Sequence, residues 1–124
     1  MKIYVAHSSL FNYQADLYEP LERLLGAEHE LILPHNKNMT QFESKELFKN
    51  KGCEVIIADV SLPSIGLGIE LGWANIYEIP IICLHSEDSA PSASLQIIST
   101  LFVPYKDILE IQVELNSMLN ELEQ

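Results

Sequence analysis

The chain has 124 residues, with 7 Lys and Arg against 18 Asp and Glu, which gives a formal net charge of −11. A surface this acidic repels phosphate backbones and anionic lipid, so nucleic acid and membranes are disfavoured as partners, and a small molecule or a protein is expected. With 48% hydrophobic residues the chain can bury one core, and residues 1–124 are expected to form a single domain.

Two further features of the sequence concern its cellular setting. The sequence has no apolar run of about 18 residues, and Met1-Lys2 leads directly into Ile-Tyr-Val without the anatomy of a signal peptide. Cys53 and Cys83 are too few for a disulfide scaffold and are typical of small buried residues. We therefore expect a cytoplasmic protein with two free thiols.

Short apolar runs alternate with helical patterns along the chain, which is typical of βαβ units and a parallel sheet. The predicted strands are Ile3–Ala6, Leu31–Leu33, Val55–Ala58, Ile81–Leu84 and Leu101–Val103. The predicted helices are Asp16–Leu25, Ser44–Asn50, Gly68–Tyr77, Ser94–Thr100 and Asp107–Glu121. The simplest doubly wound arrangement is a three-layer α/β sandwich of flavodoxin-like or Rossmann-like type, with a five-stranded parallel sheet in the order 2-1-3-4-5.

In this arrangement the strand order reverses between strands one and three, and ligands of such folds bind beyond the carboxyl ends of the strands at that point. His7 and Ser8 follow strand one, and Asp59 follows strand three, so these residues are candidates for a ligand site. His35 and His85 also follow strands and would form a row with His7 and Asp59 along one sheet edge. Such a row could relay protons, but zinc requires convergent geometry, so we expect no metal.

The segment between strand three and the following helix is the most informative part of the sequence. Gly66 and Gly68 are expected to let the backbone approach a ligand and to adopt conformations that other residues avoid. Ser64 lies at the helix entrance, where a hydroxyl caps the helix or binds an anion. Glu70 is expected in or near the first turn, where the helix dipole lowers its pKa and keeps it ionised for nucleophilic attack. The same residues also fit a plain strand-to-helix turn without chemistry.

The segment Ala58–Gly72 resembles the signature of the nucleoside 2-deoxyribosyltransferase superfamily: a Pro-Ser, a spaced glycine pair, a Glu, and then Leu-Gly. It is most similar to the branch that hydrolyses 2′-deoxynucleoside 5′-monophosphates. The resemblance extends more loosely to Ile3–Ser8, to Pro80–Leu84 and to Ser94-Leu95, so it spans most of the chain.

The resemblance implies an N-glycosidase, in which Glu70 would attack the anomeric carbon of a 2′-deoxyribonucleoside or its 5′-monophosphate and form a glycosyl-enzyme. Ser64 would hold the 5′-phosphate or 5′-hydroxyl, and Ser94 would do the same from the neighbouring subunit of a homodimer. Tyr4 and Ser8 would line the sugar and base pocket. The resemblance implies no metal and no organic cofactor.

Release of the sugar requires a group that activates water. Asp59, at the carboxyl end of strand three, is one candidate for this catalytic role. The family uses an Asp in the second helix, and counting back from Val55 without gaps places Glu46 there, which makes Glu46 the other candidate. His7 is expected to contact the ligand at the point where the strand order reverses.

Two departures from the family pattern leave alternatives open. The loop His7–Asn12 lacks the Gly- and Arg-rich sequence of the nucleotide-hydrolysing branch, and the segment 120–124 has no clear equivalent of the transferases' asparagine motif. Hydrolysis is therefore favoured over deoxyribosyl transfer between bases. The alternatives are a non-catalytic module that binds or senses a nucleotide, and a glycosidase acting on another ribosyl substrate, such as a dinucleotide or a modified nucleotide.

Overall fold

The computed structural model describes residues 1–124 and contains one five-stranded parallel sheet in the order β2-β1-β3-β4-β5. The strands are β1 (Lys2–His7), β2 (Glu30–Ile32), β3 (Val55–Asp59), β4 (Ile81–Ser86) and β5 (Leu101–Tyr105). The predicted fold class and strand order are confirmed. β3 lies at the centre, and all five of its residues are buried, because a strand covered on both faces needs an unbroken apolar sequence.

Four α-helices and three shorter helical segments cover the sheet. The α-helices are α1 (Glu19–Leu25), α2 (Gln41–Lys49), α3 (Ile65–Ile76) and α4 (Gln112–Glu123). A π-helical turn, Gln14–Tyr18, precedes α1, and 3₁₀ turns form at Ala93–Ile97 and at Ile108–Ile111. The third helix begins three residues earlier than the predicted Gly68, because Ser64 caps it and its glycines lie within the helix.

The two faces of the sheet bury two separate apolar clusters. Side chains alternate along β1, so that Ile3 and Val5 pack towards α1 and α4, while Tyr4 and Ala6 pack towards α2 and α3. The result is the three-layer sandwich that the sequence predicts. None of its helices combines the length and the apolar character that a membrane crossing needs.

Helix α2 is held in place from its first turn. The Thr40 hydroxyl oxygen accepts a hydrogen bond from the Glu43 backbone N–H at 3.1 Å, and the Glu43 carboxylate lies 3.3 Å from the same hydroxyl. The Thr40 hydroxyl thus satisfies an N–H that the helix itself leaves unpaired, and it donates its own proton to the Glu43 carboxylate. Capping therefore fixes the start of the helix that turns Ser44 and Phe48 towards the sheet.

We expect Thr40→Ala to lower the free energy of unfolding by about 1 kcal/mol, because the Glu43 N–H loses its acceptor. Thr40→Ser keeps the hydroxyl and serves as the matched control, with most of the stability retained. Urea denaturation followed by circular dichroism measures both. An equal loss in the two variants would contradict the capping role and assign the effect to the lost methyl group.

Candidate active site

A hydrogen-bonded trio of side chains lies between the sheet and the pair α2–α3. The Tyr4 hydroxyl, from the middle of β1, donates to the carboxylate of Glu70 on α3. The same hydroxyl lies 2.8 Å from the Ser44 hydroxyl on α2. The Tyr4 ring is buried and meets the Phe48 ring edge-on at 4.9 Å, so the direction of its hydroxyl is fixed by packing.

The hydrogen bonds of this trio can be arranged in two ways, depending on whether Glu70 is ionised or protonated. When Glu70 is ionised, the single Tyr4 proton goes to the carboxylate, and Ser44 donates to the Tyr4 oxygen. When Glu70 is protonated, the direction reverses, and Ser44 donates instead to the Thr40 carbonyl oxygen, 3.3 Å away. The chain therefore accommodates either protonation state of Glu70 without leaving a buried donor unpaired.

Burial raises the pKa of the Glu70 carboxyl above its usual range, and the hydroxyls of Tyr4 and Ser44 oppose the rise. The expectation that the helix dipole lowers this pKa is wrong. Glu70 is the sixth residue of α3, and the first turn of that helix contains no acidic residue. The dipole acts within the first turn, so burial and hydrogen bonds decide the charge of Glu70.

The carboxylate predicted on the second helix does not join this trio. Ser44 and Phe48 are the buried residues of α2, and Glu46 lies two positions from Ser44, which is about 200° around the helix. Glu46 therefore faces away from Glu70, and Ser44 is the residue of α2 that belongs to the trio. The pair Ser44 and Phe48, at the i, i+4 spacing of a buried helix face, is the sequence signal that could have identified Ser44.

A cavity of about 480 Å³ lies on the other flank of α3 and is lined by three of the predicted binding residues, Ser64, Gly68 and Ser94. Ser64, Gly68 and Gly72 line it from the helix, and Ser94 lines it from the segment 90–98. The Ser64 hydroxyl also caps α3 by accepting from the Leu67 N–H at 3.4 Å. Glu70 is not among the residues that line this cavity.

The glycines of the motif do not adopt unusual backbone conformations. No glycine in the chain has a positive φ, so that part of the prediction is wrong. At Gly66 an added Cβ would lie 3.0 Å from the Gln41 side-chain nitrogen, whereas at Gly68 it would meet nothing within 4 Å. Gly68 therefore leaves open space beside the cavity, and Gly66 allows the N-terminal ends of α2 and α3 to approach each other.

His7 lies on the opposite face of the sheet from Glu70, in a group of aromatic rings. Its Nδ1 is 2.7 Å from the Ser8 carbonyl oxygen and its Nε2 is 2.6 Å from the Tyr18 hydroxyl, so both ring nitrogens have partners within the protein. The ring stacks on Tyr13 at 4.6 Å and lies 4.9 Å from the His35 ring. Burial lowers the pKa of His7, although the bond to the Ser8 carbonyl opposes this.

Ser8 is buried, and its hydroxyl accepts a hydrogen bond from the Leu10 N–H at 3.1 Å. This bond stabilises the turn that follows β1. The predicted roles of His7 and Ser8 as ligand contacts therefore compete with bonds that the folded chain already makes.

Asp59 is buried at the end of β3, directly opposite His7 in the parallel register. One carboxylate oxygen accepts from the Ser61 N–H at 2.9 Å, and the other accepts from the Tyr105 hydroxyl at 2.5 Å. Asp59 and Glu70 lie on opposite faces of the sheet, so the structure does not bring this candidate water activator to Glu70. No group of three or more His, Cys, Asp or Glu side chains is arranged to hold a metal ion.

No family model matches the chain. Among curated proteins, it is 41% identical over 56 residues to "Putative 2'-deoxynucleoside 5'-phosphate N-hydrolase 1" of Methanococcoides burtonii, a match over 45% of the chain and 46% of the relative. It is 36% identical over 69 residues to the protein of the same name from Methanosarcina mazei, over 54% of the chain and 42% of that relative. The matches thus span less than half the length of these relatives.

Solved structures resemble the fold over nearly the whole chain. They include the Clostridium botulinum CMP N-glycosidase BcmB, with a TM-score of 0.66 at 20% identity, covering 94% of this chain and 99% of that one. The 2-deoxyribosyltransferase of Bacillus psychrosaccharolyticus has a TM-score of 0.65 at 17% identity, covering 90% of each chain. A signal receiver domain of a LuxO repressor protein from Vibrio parahaemolyticus scores 0.64 at 14% identity, with coverage of 98% and 92%.

The structural likeness therefore reports the fold, which several kinds of protein share. The sequence matches report more than this, because each relative carries the name of a nucleotide N-hydrolase. Together they confirm the predicted resemblance to the nucleoside 2-deoxyribosyltransferase superfamily and to its nucleotide-hydrolysing branch.

We expect Glu70→Gln to raise the free energy of unfolding at neutral pH by about 0.5–1 kcal/mol, because the amide accepts the Tyr4 bond without burying a charge. The folded state holds the Glu70 proton more tightly than the unfolded state does. Wild-type stability therefore falls as pH rises from the unfolded pKa through the raised folded pKa. The stabilisation by Glu70→Gln should therefore be greatest above the folded-state pKa of Glu70 and absent below its unfolded-state pKa.

Thermal unfolding at several pH values measures the effect of Glu70→Gln. Glu114→Gln changes an exposed carboxylate on α4 and serves as the matched control, with little change expected at any pH. A Glu70→Gln protein that is less stable than wild type at neutral pH would show that the buried charge is fully compensated.

Proposed function

We propose that the chain breaks the N-glycosidic bond of 2′-deoxyribonucleosides or their 5′-monophosphates, with Glu70 as the nucleophile. The observation that carries this proposal is the partly buried Glu70 carboxylate, held through one oxygen by the hydroxyl of a buried tyrosine. A carboxylate that is weakly hydrated and fixed in direction is suited to attack on an anomeric carbon. The names of the curated relatives support the same class of reaction.

In the proposed reaction, the Tyr4 hydroxyl occupies Oε2 of Glu70 and leaves Oε1 to approach C1′ of the sugar. As the C1′–N bond lengthens, positive charge develops on the sugar, and the nearby carboxylate stabilises it. The carboxylate then forms a glycosyl ester as the C1′–N bond breaks, and the base leaves with the electron pair of that bond and takes a proton from solvent. Water attacks C1′ in the second step, the ester electrons return to Glu70, and free sugar is released.

The substrate's 5′ end is proposed to lie at the N-terminus of α3. Ser64 and the backbone N–H groups of the first turn provide donors there, and the helix dipole favours an anion. The open space beside Gly68 gives a ligand access to this part of the helix. Six residues separate Ser64 from Glu70, about 9 Å along the helix axis, so the substrate would extend along α3.

A second candidate function is a module that binds or senses a nucleotide without cleaving it. The observation that favours it is Ser44, because retaining glycosidases use two carboxylates and α2 contributes a hydroxyl instead. Such a module would be stabilised by ligand and would release no base. Deoxyribosyl transfer would instead appear as a new nucleoside when a second free base is added.

Assays of Glu70 and Tyr4 variants with substrate test the proposed role of Glu70 as the nucleophile. We expect Glu70→Gln to lower the rate of base release at least about 10³-fold, because the covalent step is lost. Tyr4→Phe should lower kcat/KM at pH 7 by about 10- to 100-fold, the worth of one hydrogen bond to a charged group. It should also move the acid limb of the pH profile to higher pH, because the Tyr4 bond lowers the pKa of Glu70.

Chromatography of free base, with each 2′-deoxynucleoside and 5′-monophosphate, measures these rates. Glu114→Gln is the control and should retain wild-type activity. Equal turnover by the wild type and by Glu70→Gln would refute the nucleophile. Ligand-induced stabilisation without any base release would favour the sensing module.

We further propose that the chain forms a homodimer through the outer face of α3. Ile65, Ile69 and Ile76 form an exposed apolar stripe along this helix, and Phe42 extends it onto α2. Ile65 and Ile76, at the two ends of this helix face, are 86% and 74% exposed, which is unusual for isoleucine. The role of Ser94 in a neighbouring subunit's site belongs to this proposal.

Light scattering of the wild type should give twice the mass of one chain. Ile65→Glu combined with Ile76→Glu should give a monomer, because charges would be buried in the interface. Val113→Glu changes an equally exposed apolar residue on α4 and should remain dimeric. A wild-type protein that is monomeric at micromolar concentration would remove both the interface and the shared role of Ser94.

A further inference from the structure

We infer that the substrates of the Glu70 site are N-glycosides whose base carries a fixed positive charge before the bond breaks, such as a pyridinium or an N7-alkylated purine. This inference rests on the proposed N-glycosidase function and specifies its substrate class. The observations behind it are the chemical nature of the groups around Glu70 and the places where the other titratable side chains are bound.

The two partners of Glu70 in the trio, Tyr4 and Ser44, both carry hydroxyl groups. The Tyr4 proton is committed to the Glu70 carboxylate, and the Ser44 hydroxyl is shared between the Tyr4 oxygen and the Thr40 carbonyl. Burial and the neighbouring Glu70 charge raise the pKa of Tyr4 far above neutrality. These hydroxyls orient the nucleophile, but at neutral pH they are poor donors of a proton to a departing base.

None of His7, Asp59 and Glu46, the titratable side chains predicted for the site besides Glu70, is hydrogen-bonded to the Glu70 trio. Both ring nitrogens of His7 are bonded to the Ser8 carbonyl and the Tyr18 hydroxyl, on the far face of the sheet. Both oxygens of Asp59 accept bonds on that same face. Glu46 lies on the outer side of α2. Within one chain, the side chains hydrogen-bonded around Glu70 therefore orient the nucleophile and supply no acid.

Whether Glu70 can cleave the bond without an acid depends on the charge of the departing base. A neutral base leaves as an anion unless a proton reaches it, whereas a cationic base takes the electron pair of the C1′–N bond and leaves neutral. Glu70 forms the new bond to C1′ in the same step. Water then supplies oxygen to C1′, the ester electrons return to Glu70, and one proton passes to solvent, so the overall hydrolysis balances without a protein acid.

The charge of the protein favours the same class of ligand. The net charge of −11 attracts a cationic base and raises its local concentration, whereas it repels a purely anionic ligand at long range. A nucleotide with a cationic base is also less anionic overall than its neutral counterpart. The acidic surface and the lack of an acid among the partners of Glu70 thus both favour a substrate whose base is positively charged.

Matched nucleotides that differ in the charge of the base test the inference. The pairs are 7-methylguanosine 5′-monophosphate with guanosine 5′-monophosphate, their 2′-deoxy equivalents, and nicotinamide mononucleotide with its uncharged dihydro form. Chromatography of free base gives kcat/KM for the wild type. Glu70→Gln supplies the background of uncatalysed release, and Glu114→Gln is the active control.

We expect kcat/KM to be at least about 100-fold larger for the cationic member of a pair, the lower end of the factor that a general acid supplies to a neutral base. Cleavage of nicotinamide mononucleotide should fall on the acid side as Glu70 is protonated and show no basic limb up to pH 9. Release of only one cationic base would identify the heterocycle that the site prefers.

Two results would overturn the inference and leave the proposed function intact. One is Glu70-dependent cleavage of neutral nucleotides within 100-fold of their cationic partners. The other is a basic limb below pH 9 with nicotinamide mononucleotide, since it would reveal a titrating acid. A folded wild-type protein that releases no more base than Glu70→Gln from any of these compounds, or from the neutral deoxynucleotides, would overturn the proposed function itself.

Discussion

The hydrogen bond from Tyr4 to Glu70 is the constraint on which the rest of the candidate site depends. It joins the middle of a central strand to the second turn of a helix, across a layer that is otherwise apolar. Tyr4 can make it only because the strand register turns its side chain towards α2 and α3, and because the Phe48 ring fixes its direction. A polar bond in such a place is costly unless each partner is satisfied, and Ser44 completes it.

The same bond also affects the balance between the charge of Glu70 and the stability of the fold. A carboxylate that is fully hydrated on the surface would contribute little as a nucleophile, and one that is buried without donors would bind a proton and lose its charge. The Glu70 environment lies between these limits, since burial raises its pKa and two hydroxyls oppose the rise. Under the proposed function, the cost of burying Glu70 would be the condition for holding an ionised group at a defined point beside α3.

Strand order and the location of the motif were predictable from the sequence, because apolar runs and turn residues report local burial directly. The positions of site residues on the two faces were less accessible. Alternation along β1 and β3 places His7 and Asp59, at the carboxyl ends of these strands, on the opposite face of the sheet from Tyr4 and Glu70. Ser44 was missed because the count back from Val55 took no account of which face of α2 is buried. The early start of α3 was missed because glycine disfavours a helix, whereas the Ser64 cap begins the helix at Ile65 and includes Gly66 and Gly68.

The division of the sheet into two independent faces has a consequence for how such a chain can diverge. Odd-numbered positions of β1 contact α1 and α4, while even-numbered positions contact the Glu70 layer, so a substitution on one side leaves the other almost untouched. The aromatic group around His7 can therefore change in sequence, or acquire a separate role, without altering the Glu70 layer. A single-residue insertion in β1 would exchange the two sides at once, which makes the length of this strand, more than its composition, the trait that selection must preserve.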